Sequence, residues 1–194
     1  MLRKYILFFL CLICIILSGC DKKQTIDNLP IVVPNIPINT ESIELPSDFK
    51  PVIGEIIYLP IYSNIYHSNQ KRLHNLGITI TFHNTDLENN IIIKSLKYYD
   101  TQGNLIENYV QNPVSLKPLA STNLFIADND TRGGIGSNFL IEWVADQKVS
   151  SPKAEAIMLS TASTQGISFT TQGKVIRELQ LNQQQNKIEW TIKN

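Results

Sequence analysis

The stretch Leu76-Gly77-Ile78-Thr79-Ile80-Thr81-Phe82-His83 decides the fold reading. Leu76, Ile78, Ile80 and Phe82 occupy alternate positions, with Gly77, Thr79, Thr81 and His83 between them. Successive side chains of a strand point to opposite faces, so this pattern is that of a half-buried strand with one face in a core and one in solvent. A turn, Asn84-Thr85-Asp86, follows at once. A helix would need apolar residues every three to four positions, and beyond Pro51 no such period is sustained.

Outward from this segment, the chain breaks into similar runs at Glu55–Tyr62, Ile91–Tyr99, Leu105–Tyr109, Thr122–Ala127, Phe139–Ala145, Glu155–Thr161 and Ile167–Thr171. Asp100-Thr101-Gln102-Gly103-Asn104, Asn112-Pro113, Lys117-Pro118, Asp128-Asn129-Asp130 and Thr164-Gln165-Gly166 supply turns between them. About eight short strands at this spacing predict an all-β fold, an antiparallel β-sandwich of immunoglobulin-like type. Trp143 is expected in its core with no disulfide beside it. Pro60 lacks the N–H for a ladder bond, so its strand is expected at an edge or at a bulge. Lys94, among Ile91-Ile92-Ile93 and Leu96, fits neither face. Lys187 to Lys193 alternates cleanly after a Gln-rich spacer and is a candidate added strand.

The N-terminus carries a different signal. Arg3 and Lys4 precede Tyr5 to Leu17, a run without charge that is too short to span a bilayer and fits the apolar core of a secretory leader. Leu17-Ser18-Gly19-Cys20 resembles the bacterial lipobox, whose cysteine is lipidated before cleavage ahead of it. The expected partner of Cys20 is therefore a membrane, and two or three acyl chains hold stably where one does not. Cys11 and Cys14 leave with the leader, so the mature domain has no disulfide, thiolate metal site or catalytic cysteine. Two of the 17 basic residues, Arg3 and Lys4, leave too, while the 17 acidic residues stay. The resulting charge near −2 offers no footprint for nucleic acid. Asp21 to Pro51, broken by Pro30, Pro34, Pro37 and Pro46, reads as a tether. The expected organisation is a signal peptide at 1–19, the lipidated Cys20 and tether over 20–51, a sandwich over 52–178 and a Gln-rich tail over 179–194.

Several blocks stand in one order along the chain. They are Ile57-Tyr58-Leu59-Pro60-Ile61-Tyr62-Ser63-Asn64-Ile65-Tyr66-His67, Asn84-Thr85-Asp86, Tyr98-Tyr99-Asp100 with Gly103, and Pro118-Leu119-Ala120-Ser121-Thr122. Further along stand Asp130-Thr131-Arg132-Gly133-Gly134-Ile135-Gly136-Ser137-Asn138-Phe139, Glu142-Trp143 and Thr161 to Phe169. Together these blocks resemble domain of unknown function 3124 over roughly residues 54 to 177. The resemblance implies a small bacterial, often lipid-anchored, extracytoplasmic domain with no assigned reaction, and it carries over no functional residue.

No constellation names a chemistry. His67, His74 and His83 lack the short spacings that aim two imidazoles at one metal. Asp128-Asn129-Asp130 with Gly133, Gly134 and Gly136 has Arg132 where a calcium loop needs an oxygen ligand. The same glycines are not followed by Lys-Ser/Thr as in a phosphate loop, and Gly136-Ser137-Asn138 is not a nucleophile elbow. No catalytic residue, metal or cofactor is expected. Two polar segments remain as sites for a partner, because rigid sandwiches place function on loops. Tyr66–Asn75 offers His67, Lys71, Arg72 and His74, and Asp128–Ser137 offers Asp130 and Arg132. Arg132 either pairs with Asp130 or points outward to a partner's carboxylate or phosphate. The function expected is a membrane-anchored binding or structural module of the cell envelope, facing a protein or cell-wall partner. The alternative is an envelope hydrolase using an unrecognised carboxylate or histidine site.

Overall fold

Two antiparallel sheets face each other across an aliphatic and aromatic core. The computed structural model describes residues 42–161, 166–182 and 187–193, all within one compact unit, Pro34–Asn194. Cys20, the expected leader and the expected tether up to residue 41 lie outside the described residues. The larger sheet contains β1 (Ile53–Ile61), β5 (Ile91–Tyr99), β6 (Leu105–Asn108), β7 (Val114–Leu116), β9 (Ser137–Ala145), β12 (Lys174–Asn182) and β13 (Lys187–Ile192). Its order is β13-β12-β1-β9-β5-β6, with β7 also pairing β5. The smaller sheet contains β4 (Gly77–His83), β8 (Ser121–Ile126), β10 (Lys153–Ser160) and β11 (Ile167–Gln172) in the order β11-β10-β4-β8. A separate hairpin joins β2 (Asn64–His67) to β3 (Asn69–Asn75).

The chain crosses between sheets from β4 to β5 and again from β8 to β9. It leaves β4 beside β8 in one sheet and β5 beside β9 in the other. An immunoglobulin sandwich has the same interlock, its second strand beside its fifth and its third beside its sixth. All eight expected strands form. Five more form: β13, which the alternation after the Gln-rich spacer had marked as a candidate, and β2, β3, β7 and β12, which were too short or too polar to stand out.

The period-two pattern of β4 works as expected. Ile78, Ile80 and Phe82 are at most 3% exposed and pack in the same cluster as Ile57, Leu59 and Ile61 of β1, Phe139, Ile141 and Trp143 of β9, and Met158 of β10. Burying one such aliphatic side chain stabilises by about 1.5–3 kcal/mol. Lys94 also finds its explanation. The β5–β9 register shifts between Ile93 and Ser95, so Lys94 is the extra residue of a bulge. The bulge moves the inward set from Ile91 and Ile93 to Leu96 and Tyr98, and Lys94 turns out to meet Glu142 at 3.1 Å.

Pro60 sits in a strand flanked on both sides, but only in part. The β1–β12 pairing ends at Tyr58, while β9 continues to Ile61. At Pro60 the strand is thus a local edge, and the register slips on the β12 side between Ile56 and Ile57. The boundary at 178 falls inside β12, and β13 extends the sheet beyond it. At the other end, Ser42 bridges Val114 and the Ile43 N–H reaches the Pro113 carbonyl at 2.8 Å. The described end of the segment expected as a tether, at Ser42 and Ile43, therefore lies on the domain.

Candidate functional site

The segment read as a polar loop at Tyr66–Asn75 is instead most of a β-hairpin. Asn64 pairs Asn75, Ile65 pairs His74 and Tyr66 pairs Leu73. The turn closes because Ser68 adopts a left-handed backbone, φ 58°, and the Asn69 side-chain oxygen accepts from the Lys71 N–H at 3.0 Å. Polar composition hid these strands: every residue from Tyr66 to Leu73 is exposed, so no buried face imposes a hydrophobic period.

The second segment is fixed to the core through Tyr98. This residue is fully buried, and its ring stacks on Phe139 at 5.0 Å. Its hydroxyl shares a 2.9 Å hydrogen bond with Ser63. Gly133 lies against that hydroxyl so closely that a Cβ there would overlap it. Burial raises the phenol's pKa, which suits a hydroxyl that stays protonated. The loop is then pinned on both sides: Ser63 N–H donates to the Gly134 carbonyl at 3.1 Å, and Thr101 N–H donates to the Gly133 carbonyl at 3.0 Å. Thr101 Oγ1 also donates to Gly133 and accepts from the Gly136 N–H. Gly134, at φ 74°, supplies the one turn there that a side chain would strain.

These links bring both expected loops to one place. The hairpin contributes Asn64, Leu73 and Asn75 to a concavity of about 430 Å³, open to solvent. The turn after β5 adds Thr101 and Gln102, and the loop before β9 adds Thr131, Gly134 and Ile135. That volume lies within the roughly 300–1,000 Å³ common for small-molecule sites. A smaller space of about 20 Å³ between the sheets, lined by residues such as Phe82, Leu96 and Leu124, is a core packing defect rather than a site.

None of the side chains expected to meet a partner lines the concavity. Lys71 and Arg72 are exposed on β3, and His67 ends β2. The hairpin brings the His67 and His74 rings within 5.8 Å, a proximity that their separation in sequence conceals. Among the described residues no three His, Cys, Asp or Glu side chains are grouped to hold a metal. Arg132 takes the inward alternative: its Nε and a terminal nitrogen hold Asp130 at 2.9 and 2.7 Å, and the same terminal nitrogen reaches Glu107 at 3.4 Å. The fork holds the Asp130 carboxyl below the ordinary range and raises the guanidinium's own pKa. The concavity's amides and hydroxyls were missed because Asn64, Asn75, Gln102 and Thr131 come from three separate segments, and only the tertiary fold gathers them.

The fold and this geometry define an antiparallel β-sandwich domain with a loop-and-hairpin concavity at one place on its surface. The model of a protein family described as "Protein of unknown function (DUF3124)" matches residues 54–176, and the chain belongs to that family. No curated protein matches it. Among solved structures, "Crystal Structure of Thermotoga maritima 1070" is similar at 15% identity over 62% of this chain and 92% of that one, with a TM-score of 0.40. At that level the likeness carries no argument.

Proposed function

We propose that the chain is a lipid-anchored, extracytoplasmic binding module of the cell envelope, and that the concavity between the β2–β3 hairpin and the loop before β9 is its binding surface. The convergence of three segments on one solvent-open hollow, each pinned by buried or backbone hydrogen bonds, carries the reading. Preorganised loops bind without spending affinity on ordering themselves. The two carboxylates weighed for hydrolysis are ion-pair partners, Asp130 of Arg132 and Glu142 of Lys94. The anchor rests on the order of basic start, uncharged run and Leu17-Ser18-Gly19-Cys20.

The two parts separate in experiment. Cys20→Ser should abolish palmitate labelling and move the protein from the detergent phase to the aqueous phase; an unchanged partition refutes the anchor. Thr131→Trp places a large ring in the concavity from an exposed position. It should leave the melting temperature nearly unchanged while reducing co-sedimentation of the Cys20→Ser protein with isolated envelope material. Undiminished co-sedimentation refutes the concavity as the binding surface.

A further inference from the structure

We infer that the concavity takes a neutral glycan carrying acetamido groups, an assignment that rests on reading this hollow as the binding surface. Asn64 supplies the leading observation. It is 4% exposed, lines the concavity, and its side-chain oxygen is buried without a hydrogen-bond partner among the described residues. A buried amide left unpaired is costly, so its retention marks a place where a donor is expected to arrive.

The remaining lining narrows what brings that donor. Asn75 and Gln102 add two exposed amides, Thr131 a hydroxyl, and Leu73 and Ile135 two aliphatic groups, with no charged side chain in the lining. An anion would want a cation or converging N–H groups, and a metal ion would want carboxylates or imidazoles. A wholly apolar ligand would leave Asn64 as it is. An acetamido group answers each feature: its N–H suits the Asn64 oxygen, its carbonyl suits an Asn75 or Gln102 amide, and its methyl suits Leu73 or Ile135.

Tyr66 points to a sugar rather than a peptide as the carrier. Directly paired strand residues share a face, and alternate residues return to it. Asn64 pairs Asn75 and Tyr66 pairs Leu73, so the phenol stands on the same hairpin face as three lining residues. It is 53% exposed. An exposed aromatic face beside amides offers a platform for the C–H face of a pyranose. A peptide added as a strand would pair through its main chain at an edge of the hairpin rather than lie on this face.

The test is calorimetric titration of the full chain in detergent micelles with the pentamer of N-acetylglucosamine. The glucosamine and glucose pentamers and a neutral N-acetylated dipeptide amide serve as competitors. The acetylated pentamer should bind, and the other three should bind at least about tenfold more weakly. Asn75→Ala and Gln102→Ala, both at exposed positions, should each weaken binding about tenfold without altering the melting temperature. Asn64→Leu should abolish binding and not lower the melting temperature, since the oxygen it removes has no partner among the described residues. A lower melting temperature with binding intact would mean that Asn64 is structural and overturns the inference. Equal binding of the dipeptide, or no discrimination among the pentamers, overturns the glycan assignment. If no pentamer binds while Thr131→Trp still reduces envelope co-sedimentation, the glycan class falls and the binding surface stands.

Discussion

Replacing Gly133 by alanine is expected to prise the site's loop from the core. The cost is steric, because Gly133 has an ordinary right-handed backbone at φ −68°. An added methyl would overlap the Tyr98 hydroxyl and stand 2.7 Å from both Ser63 Oγ and Ser137 Oγ, where carbon prefers about 3.5 Å. All three neighbours are at most 1% exposed, so none yields into solvent. Room is made only by displacing the phenol and breaking its 2.9 Å bond to Ser63. Overpacking costs about 1–3 kcal/mol and a stranded buried hydroxyl about 1–3 more, so about 2–6 kcal/mol is expected. At roughly 2–4 °C per kcal/mol for a domain of this size, that lowers the melting temperature by roughly 5–25 °C. Urea denaturation of Gly133→Ala, Tyr98→Phe and the double variant tests the cause. Tyr98→Phe alone should cost about 1–2 kcal/mol through the orphaned Ser63. In the double variant the methyl enters the space the oxygen left, so the two costs should fall short of additivity by at least about 1 kcal/mol. Strictly additive costs would refute the steric argument.

Further expectations concern the turns and the ion pairs. Leu119 stands at φ 56° in the turn closed by the Ala120 N–H on the Lys117 carbonyl, and it is 67% exposed; Leu119→Gly should therefore stabilise by about 1 kcal/mol, read as a higher melting temperature. Asn84 is 2% exposed, and its amide nitrogen donates to the carbonyls of Asn89, Leu116 and Lys117. Asn84→Ala strands those carbonyls and should cost about 2–3 kcal/mol in urea denaturation. Asp86 is held below the usual carboxylate value by N–H groups of Ser150, Glu88 and Asn89. Its contribution is complete above the unfolded carboxylate value of about 3.9 and is lost as pH falls through the lower folded value. The acid limb of a stability–pH curve should accordingly flatten in Asp86→Asn; an unchanged limb counts against that role. Arg132→Ala should cost about 1 kcal/mol, because the Arg132 side chain is half exposed, yet an NMR titration should show the Asp130 carboxyl rising toward its ordinary range.

Much of the architecture was legible in the chain because burial and strand geometry write a period of two directly into residue order. Leu76 to His83 shows it plainly, and Trp143 fell in the core as its neighbours implied. Even the misfit of Lys94 was visible, since a charge in an apolar run breaks that period; only the shifted register showed it to be a bulge. The hairpin was not legible. From Tyr66 to Leu73 both faces meet solvent, so nothing in the order of residues separates its strands from a loop.

Residue order by itself determined the all-β class, most of the turns, and the placing of every cysteine, Cys11, Cys14 and Cys20, ahead of the described domain. Tertiary structure alone decided which side chains meet. It turned Arg132 onto Asp130, set His67 beside His74, and gathered Asn64, Asn75, Gln102 and Thr131 around one hollow. Periodicity is a local property that sterics and burial impose residue by residue. A site assembled from three segments depends instead on long-range contacts, here the buried Tyr98–Ser63 bond and the approach that only Gly133 permits, which leave no periodic trace in the chain.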